Sequence, residues 1–119
     1  MPAFLAALFL LATATAGLAD YRPVTDKAEF LSLLGDRNLS NRLYGINLKV
    51  SADGMISGTG AGWDVTGTWS WRDGYFCREM NWGGDPIPYN CQLVEVRGGN
   101  EMRFTVDQGA GDSASFMLR

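Results

Sequence analysis

Residues 63–72 read Trp-Asp-Val-Thr-Gly-Thr-Trp-Ser-Trp-Arg. Trp63, Val65, Gly67, Trp69 and Trp71 fall on one side of this run, and Asp64, Thr66, Thr68, Ser70 and Arg72 on the other. A period of two marks a β-strand with one buried face, because successive side chains of an extended chain point in opposite directions. Asp73-Gly74 follows, a dipeptide suited to a tight hairpin turn, so 75–80 is expected to run back antiparallel. Upstream, Tyr44, Ile46, Leu48 and Val50 alternate with Gly45, Asn47 and Lys49, Ala52-Asp53-Gly54 turns, and 55–60 returns. Downstream, a longer loop at 81–88 leads to a strand at 89–97, Gly98-Gly99-Asn100 turns into 102–107, and 109–112 turns into 113–118. Strands joined by short turns pair as an antiparallel meander. About seven of them predict a mainly β chain whose sheet curls into a small barrel or a bent sheet, since a flat one would leave the tryptophan face bare.

Ahead of the strands, Thr25–Gly35 carries the one helical pattern. Thr25 or Asp26 can cap it, Ala28, Phe30, Leu31 and Leu34 form its apolar face, and Gly35 stops it. The first 19 residues differ in kind. Phe4–Ala12 is a nine-residue apolar run, followed by small residues and then the charged Asp20. This is the pattern of a secretory signal peptide at 1–19, cut after Ala19, although no Lys or Arg precedes the apolar run. The remainder, 20–119, is expected to be a single β-rich domain, periplasmic or secreted, with no membrane span after cleavage.

Composition removes whole classes of chemistry. The 119 residues contain no histidine, which excludes a Ser-His-Asp triad, a Cys-His pair and a His-ligated zinc or haem. A net charge of −3 with scattered Lys and Arg argues against nucleic acid or an anionic membrane surface as partner. The two cysteines, Cys77 and Cys91, are 14 positions apart, too far for a Cys-x-x-Cys redox pair. In an exported chain an even count predicts a structural disulfide.

Motifs for catalysis are equally sparse. Gly58-Thr-Gly60-Ala-Gly62-Trp63 puts tryptophan where a GxGxxG loop needs its third glycine, and a strand follows where a helix is required. Its glycines are expected to let two strands approach closely. Glu95 and Glu101 are expected to pair across strands with Arg103 and Arg97. Tyr44, Tyr75, Tyr89 and Met80 lack any haem or copper motif. No catalytic residue, metal or cofactor is therefore assigned.

The tryptophans carry the most information, because all four fall between positions 63 and 82. Trp69 and Trp71 can simply fill the core of a barrel. Alternatively Trp63, Trp69 and Trp71, with Tyr75, line a pocket for a small apolar or aromatic ligand. Trp82 stands apart, in Asn81-Trp-Gly-Gly-Asp-Pro-Ile-Pro88 between the cysteines. There Trp82, Asp85 and Ile87 can offer a rigid contact surface to an envelope protein, as an interaction or inhibitor module would, or Trp82 can fold back as a lid.

The run Gly67-Thr-Trp-Ser-Trp-Arg-Asp-Gly-Tyr-Phe-Cys-Arg-Glu-Met80, with Cys91-Gln-Leu-Val-Glu-Val96 and Met102-Arg-Phe-Thr-Val-Asp107, resembles a group of small exported proteins of Gram-negative bacteria. Some of these carry the name dihydrodipicolinate reductase. The resemblance implies an exported domain without an assigned activity, since this chain lacks the βαβ cofactor unit and the GxGxxG loop of a reductase. In its meander and tryptophan-rich strand the chain is also distantly similar to lipocalins, with too few residues expected for a full eight-stranded calyx.

Overall fold

The computed structural model describes residues 20–119, so the signal segment expected at 1–19 lies outside the described residues. In chain order the elements are β1 (Arg22–Val24), α1 (Lys27–Leu34), β2 (Leu39–Asn41), β3 (Ile46–Val50), β4 (Met55–Gly60), β5 (Trp63–Arg72), β6 (Tyr75–Trp82), β7 (Asp85–Arg97), β8 (Glu101–Thr105) and β9 (Ser113–Leu118). A short 3-10 turn, Asp107–Gly109, lies between β8 and β9. All pairings are antiparallel; from β2 to β9 each strand pairs with the next, and β9 pairs back with β2. The β2–β9 pairing, Leu39 opposite Leu118, closes an eight-stranded up-and-down barrel. The ninth strand, β1, lies outside the ring and pairs with β7 over Val94–Val96.

The tight turns follow their sequences. Ala61-Gly62, Asp73-Gly74 and Gly83-Gly84 all have positive φ at both central residues. That is the geometry whose twist matches a hairpin, and a side chain with a Cβ rarely adopts it. Three successive hairpins, β4–β5, β5–β6 and β6–β7, are closed in this way.

Helix α1 plugs one end of the barrel. The Asp26 side chain caps it by accepting from the Ala28 amide at 2.9 Å, and the Gly35 amide closes it onto the Leu31 carbonyl. Its Phe30 side chain is fully buried among four rings, with centroids 5.0 Å from Trp71, 5.3 Å from Phe76, 5.5 Å from Trp69 and 6.4 Å from Phe104. Aromatic edges and faces in these orientations add to the burial of their surface. The turns at 51–54, 73–74 and 98–100 surround the plugged end, and those at 42–45, 61–62, 83–84 and 106–112 surround the open one.

Three sequence expectations are corrected. The small antiparallel barrel is as expected, with all seven expected strands present, but the chain suffices for a full eight-stranded ring, because the three-residue β2 bridges β3 and β9. The 81–88 stretch is not a long loop, since β6 continues to Trp82 and β7 starts at Asp85, leaving Gly83-Gly84 as the whole turn. Pro86 and Pro88 are tolerated there because β8 pairs with β7 only over Leu93–Arg97, so the first half of β7 has a ladder on one side. Finally, Ala28 is exposed, and the buried face of α1 centres on Phe30 and Leu34.

Candidate functional site

On β6 the residues Phe76, Arg78, Met80 and Trp82 alternate with Cys77, Glu79 and Asn81, and the first set faces the barrel interior. The helix fills only the far end. Between it and the open end remains a cavity of about 300 Å³, within the size range of small-molecule pockets. Leu48, Ile56 and Phe76 form its deep part, Met80 and Trp82 its wall nearer the mouth, and Phe104 and Phe116 of β8 and β9 also line it. Asp112, Ser113 and Ala114, all exposed, form part of the rim.

Trp82 owes its place to a glycine. Its indole Nε1 donates to the Gly60 carbonyl at 3.0 Å, and the ring lies so close over Gly60 that a Cβ there would overlap it. The run at 58–62 also permits the expected close approach between strands, since a Cβ on Gly58 would overlap the Asn47 carbonyl of β3.

Two polar side chains interrupt the apolar lining. Arg78 is only 7% exposed and Gln92 only 8%, and both border the cavity. The register sets Phe76 opposite Gln92 and Arg78 opposite Asn90, so Arg78 and Gln92 are diagonal neighbours on adjacent strands. One guanidinium nitrogen of Arg78 donates to the Pro88 carbonyl at 2.8 Å. That carbonyl is released by a bulge between Arg78 and Met80, where β7 holds an extra residue and the ladder is interrupted. Among the described residues no carboxylate forms an ion pair with Arg78. Burial pushes the guanidinium below its ordinary pKa, because the charged form loses hydration.

The residues singled out in the sequence separate into two groups, with Trp69 and Trp71 filling the core, the first of the two alternatives open to them. Trp69 is buried beside the plug, stacked on Phe76 at 5.4 Å, with its Nε1 donating to the Ser51 carbonyl at 2.9 Å. Trp71 packs on Phe30 and donates to the Thr25 carbonyl at 3.2 Å, which ties the start of the helix to β5. Tyr75 is half-buried at the plugged end. Trp63 is 61% exposed and lies against Gly83 at the open rim. None of these four borders the cavity, whereas Trp82 and Ile87, expected to face a partner, both do. Of the expected contact trio only Asp85 stands fully in the open. Arg78 and Gln92 were not singled out from sequence. The signal for Arg78 is the alternation Phe76-x-Arg78-x-Met80-x-Trp82, which places a cation on an otherwise apolar face.

Cys77 and Cys91 form a disulfide between directly paired positions of β6 and β7, with Cα atoms 3.9 Å apart. Such a bridge is compatible with an oxidising, exported location. The expected cross-strand ion pairs are present: Arg103 with Glu95 at 2.8 Å and Arg97 with Glu101 at 2.6 Å, with the Tyr21 ring under both guanidinium groups. The hydrogen bond from Arg97 holds the Glu101 carboxyl below its ordinary range. Among the described residues no three His, Cys, Asp or Glu side chains gather as metal ligands would, and no helix is long and apolar enough to cross a membrane. Compared with family models, curated proteins and solved structures, the chain matches none.

Proposed function

We propose that this protein is an exported, non-catalytic binding domain that holds a small, mainly apolar ligand inside its barrel, in the periplasm or outside the cell. The observation that carries this reading is the cavity of about 300 Å³ between the helical plug and the open end. A plugged barrel with an apolar, one-ended hollow excludes water from a ligand's surface on most sides, which is the main source of affinity for an apolar molecule. The ligand-lining residues in this proposal are Phe76, Met80, Trp82 and Phe116, with Trp69 and Trp71 supporting them from the plugged end.

The test uses the uncharged fluorescent probe N-phenyl-1-naphthylamine. Binding to the parent protein, lost in Ala114→Trp at the rim with an unchanged melting temperature, is the expected result. Equal binding by the variant would move the ligand out of the cavity and sink the proposal.

A second reading, an interaction module for an envelope protein, draws on a different feature. Leu43, Tyr44 and Trp63 are exposed at the open rim, an unusual concentration of apolar surface for one end of a small domain. In that case Trp63→Ser should abolish co-purification of a defined envelope partner while the probe still binds.

A further inference from the structure

A cation inside an apolar barrel is costly to fold. Moving a guanidinium out of water is favourable only where an opposite charge or a full set of acceptors replaces its hydration. Arg78 has one backbone acceptor, the Pro88 carbonyl, for its five N–H groups. Among the described residues it makes no ion pair, and yet none of its unpartnered nitrogens is sealed away from solvent. The Gln92 carboxamide, its diagonal neighbour, is in the same condition. Both side chains are more than nine-tenths buried and both border the cavity, so the remaining route to their free donors leads through it.

We infer that the cavity takes an anionic amphiphile, a molecule with one carboxylate and a short apolar body, whose carboxylate is received by Arg78 and Gln92. The guanidinium presents parallel N–H groups that match the two oxygens of a carboxylate, and the Gln92 amide can add a third donor. The apolar body then lies against Met80 and Trp82 toward the mouth, with Phe116 also on the lining. Asp112 is the other charged residue on the lining. It is exposed and, among the described residues, forms no ion pair with Arg78, so it leaves the guanidinium's charge uncompensated. The cavity volume suits a medium-chain ligand better than a long one. This inference rests on the cavity being a ligand site, as proposed above, and adds the charge of the ligand.

The experiment displaces N-phenyl-1-naphthylamine with decanoate and, separately, with decan-1-ol, from the parent protein and from Arg78→Met, both with the disulfide intact. The expected result is that decanoate competes at least tenfold more strongly than decan-1-ol in the parent, and that Arg78→Met removes or reverses the preference while still binding the probe. Equal competition by the two in the parent, or a preference that survives in Arg78→Met, would overturn the anionic assignment and leave the cavity proposal standing. Failure of the probe to bind the parent at all would overturn both. Should Arg78→Met not fold, Gln92→Leu serves as the second variant, with a several-fold loss of decanoate competition and none for decan-1-ol expected; no loss for decanoate would again overturn the inference.

Discussion

Arg78 sets function against stability within one side chain. Burial lowers its pKa, so the charged form is worse off in the folded protein than in the unfolded one, and the folded state carries that cost at every pH where the guanidinium is protonated. Arg78→Met is therefore expected to keep or raise the melting temperature in the absence of ligand, as replacing buried charge by apolar volume does elsewhere. A thermal melt of the two proteins side by side checks this, and a clear drop would mean that the bond to Pro88 outweighs the desolvation. Trp82 carries the opposite expectation. Trp82→Ala removes a half-buried ring and its bond to Gly60, and should cost about 2–3 kcal/mol, less than the roughly 3–5 for a fully buried aromatic because the ring already borders empty space. Trp69→Ala, deep against Phe30 and Phe76, belongs at the upper end of that range, measured by denaturant unfolding. At the surface, Glu101 is held below the usual carboxylate range by Arg97, so it stabilises the fold above that range and stops doing so as pH falls through its lowered value. The difference in stability between the parent and Glu101→Gln, less than about 1 kcal/mol at neutral pH, should shrink to nothing in acid.

At the scale of elements, the legible parts were those with a repeating period or a turn dipeptide. β5 declared itself through ten alternating residues, and Asp73-Gly74 fixed the direction of β6. The cross-strand partners of Glu95 and Glu101 followed from the Gly98-Gly99 turn, because that turn sets the register of β7 on β8. β1 and β2 escaped notice because three residues are too few to show a period, and Pro23 in β1 argues against a strand unless it lies outside the ring, as it does. The stretch 81–88 misled because its glycines and prolines read as loop, although two glycines make the turn and the prolines occupy a half-paired strand. Trp82 is affected by the same ambiguity: read as loop it can serve as contact or as lid, and as part of β6 it borders the cavity. The choice of which tryptophans meet a ligand depends on where α1 stops filling the barrel, and Phe30, which decides it, reads in the sequence only as one more apolar helix residue. The bridge between β6 and β7 is likewise an element-scale feature. Cys77→Ser is expected to cost about 2–5 kcal/mol, the usual loss for a native bridge in a small domain, as read from unfolding under oxidising and reducing conditions.

On the scale of the whole molecule, the ring is held shut by its least impressive strand. β2 contributes three residues, and the pairs Leu39–Leu118 and Ser40–Met117, extended by the reciprocal backbone bonds of Asn38 and Arg119, join it to β9. Without β9 both β2 and β8 would be bare edges, the arrangement that invites pairing with other chains. The join also links residues nearly eighty positions apart, and contacts so distant in sequence are the slowest to form because the intervening chain must first be ordered. A growing polypeptide therefore has no means of completing this barrel while its last strand is still being synthesised. The chain that emerges from the ribosome stays open until β9 is free, with β2 and β8 each lacking a neighbour on one side until then.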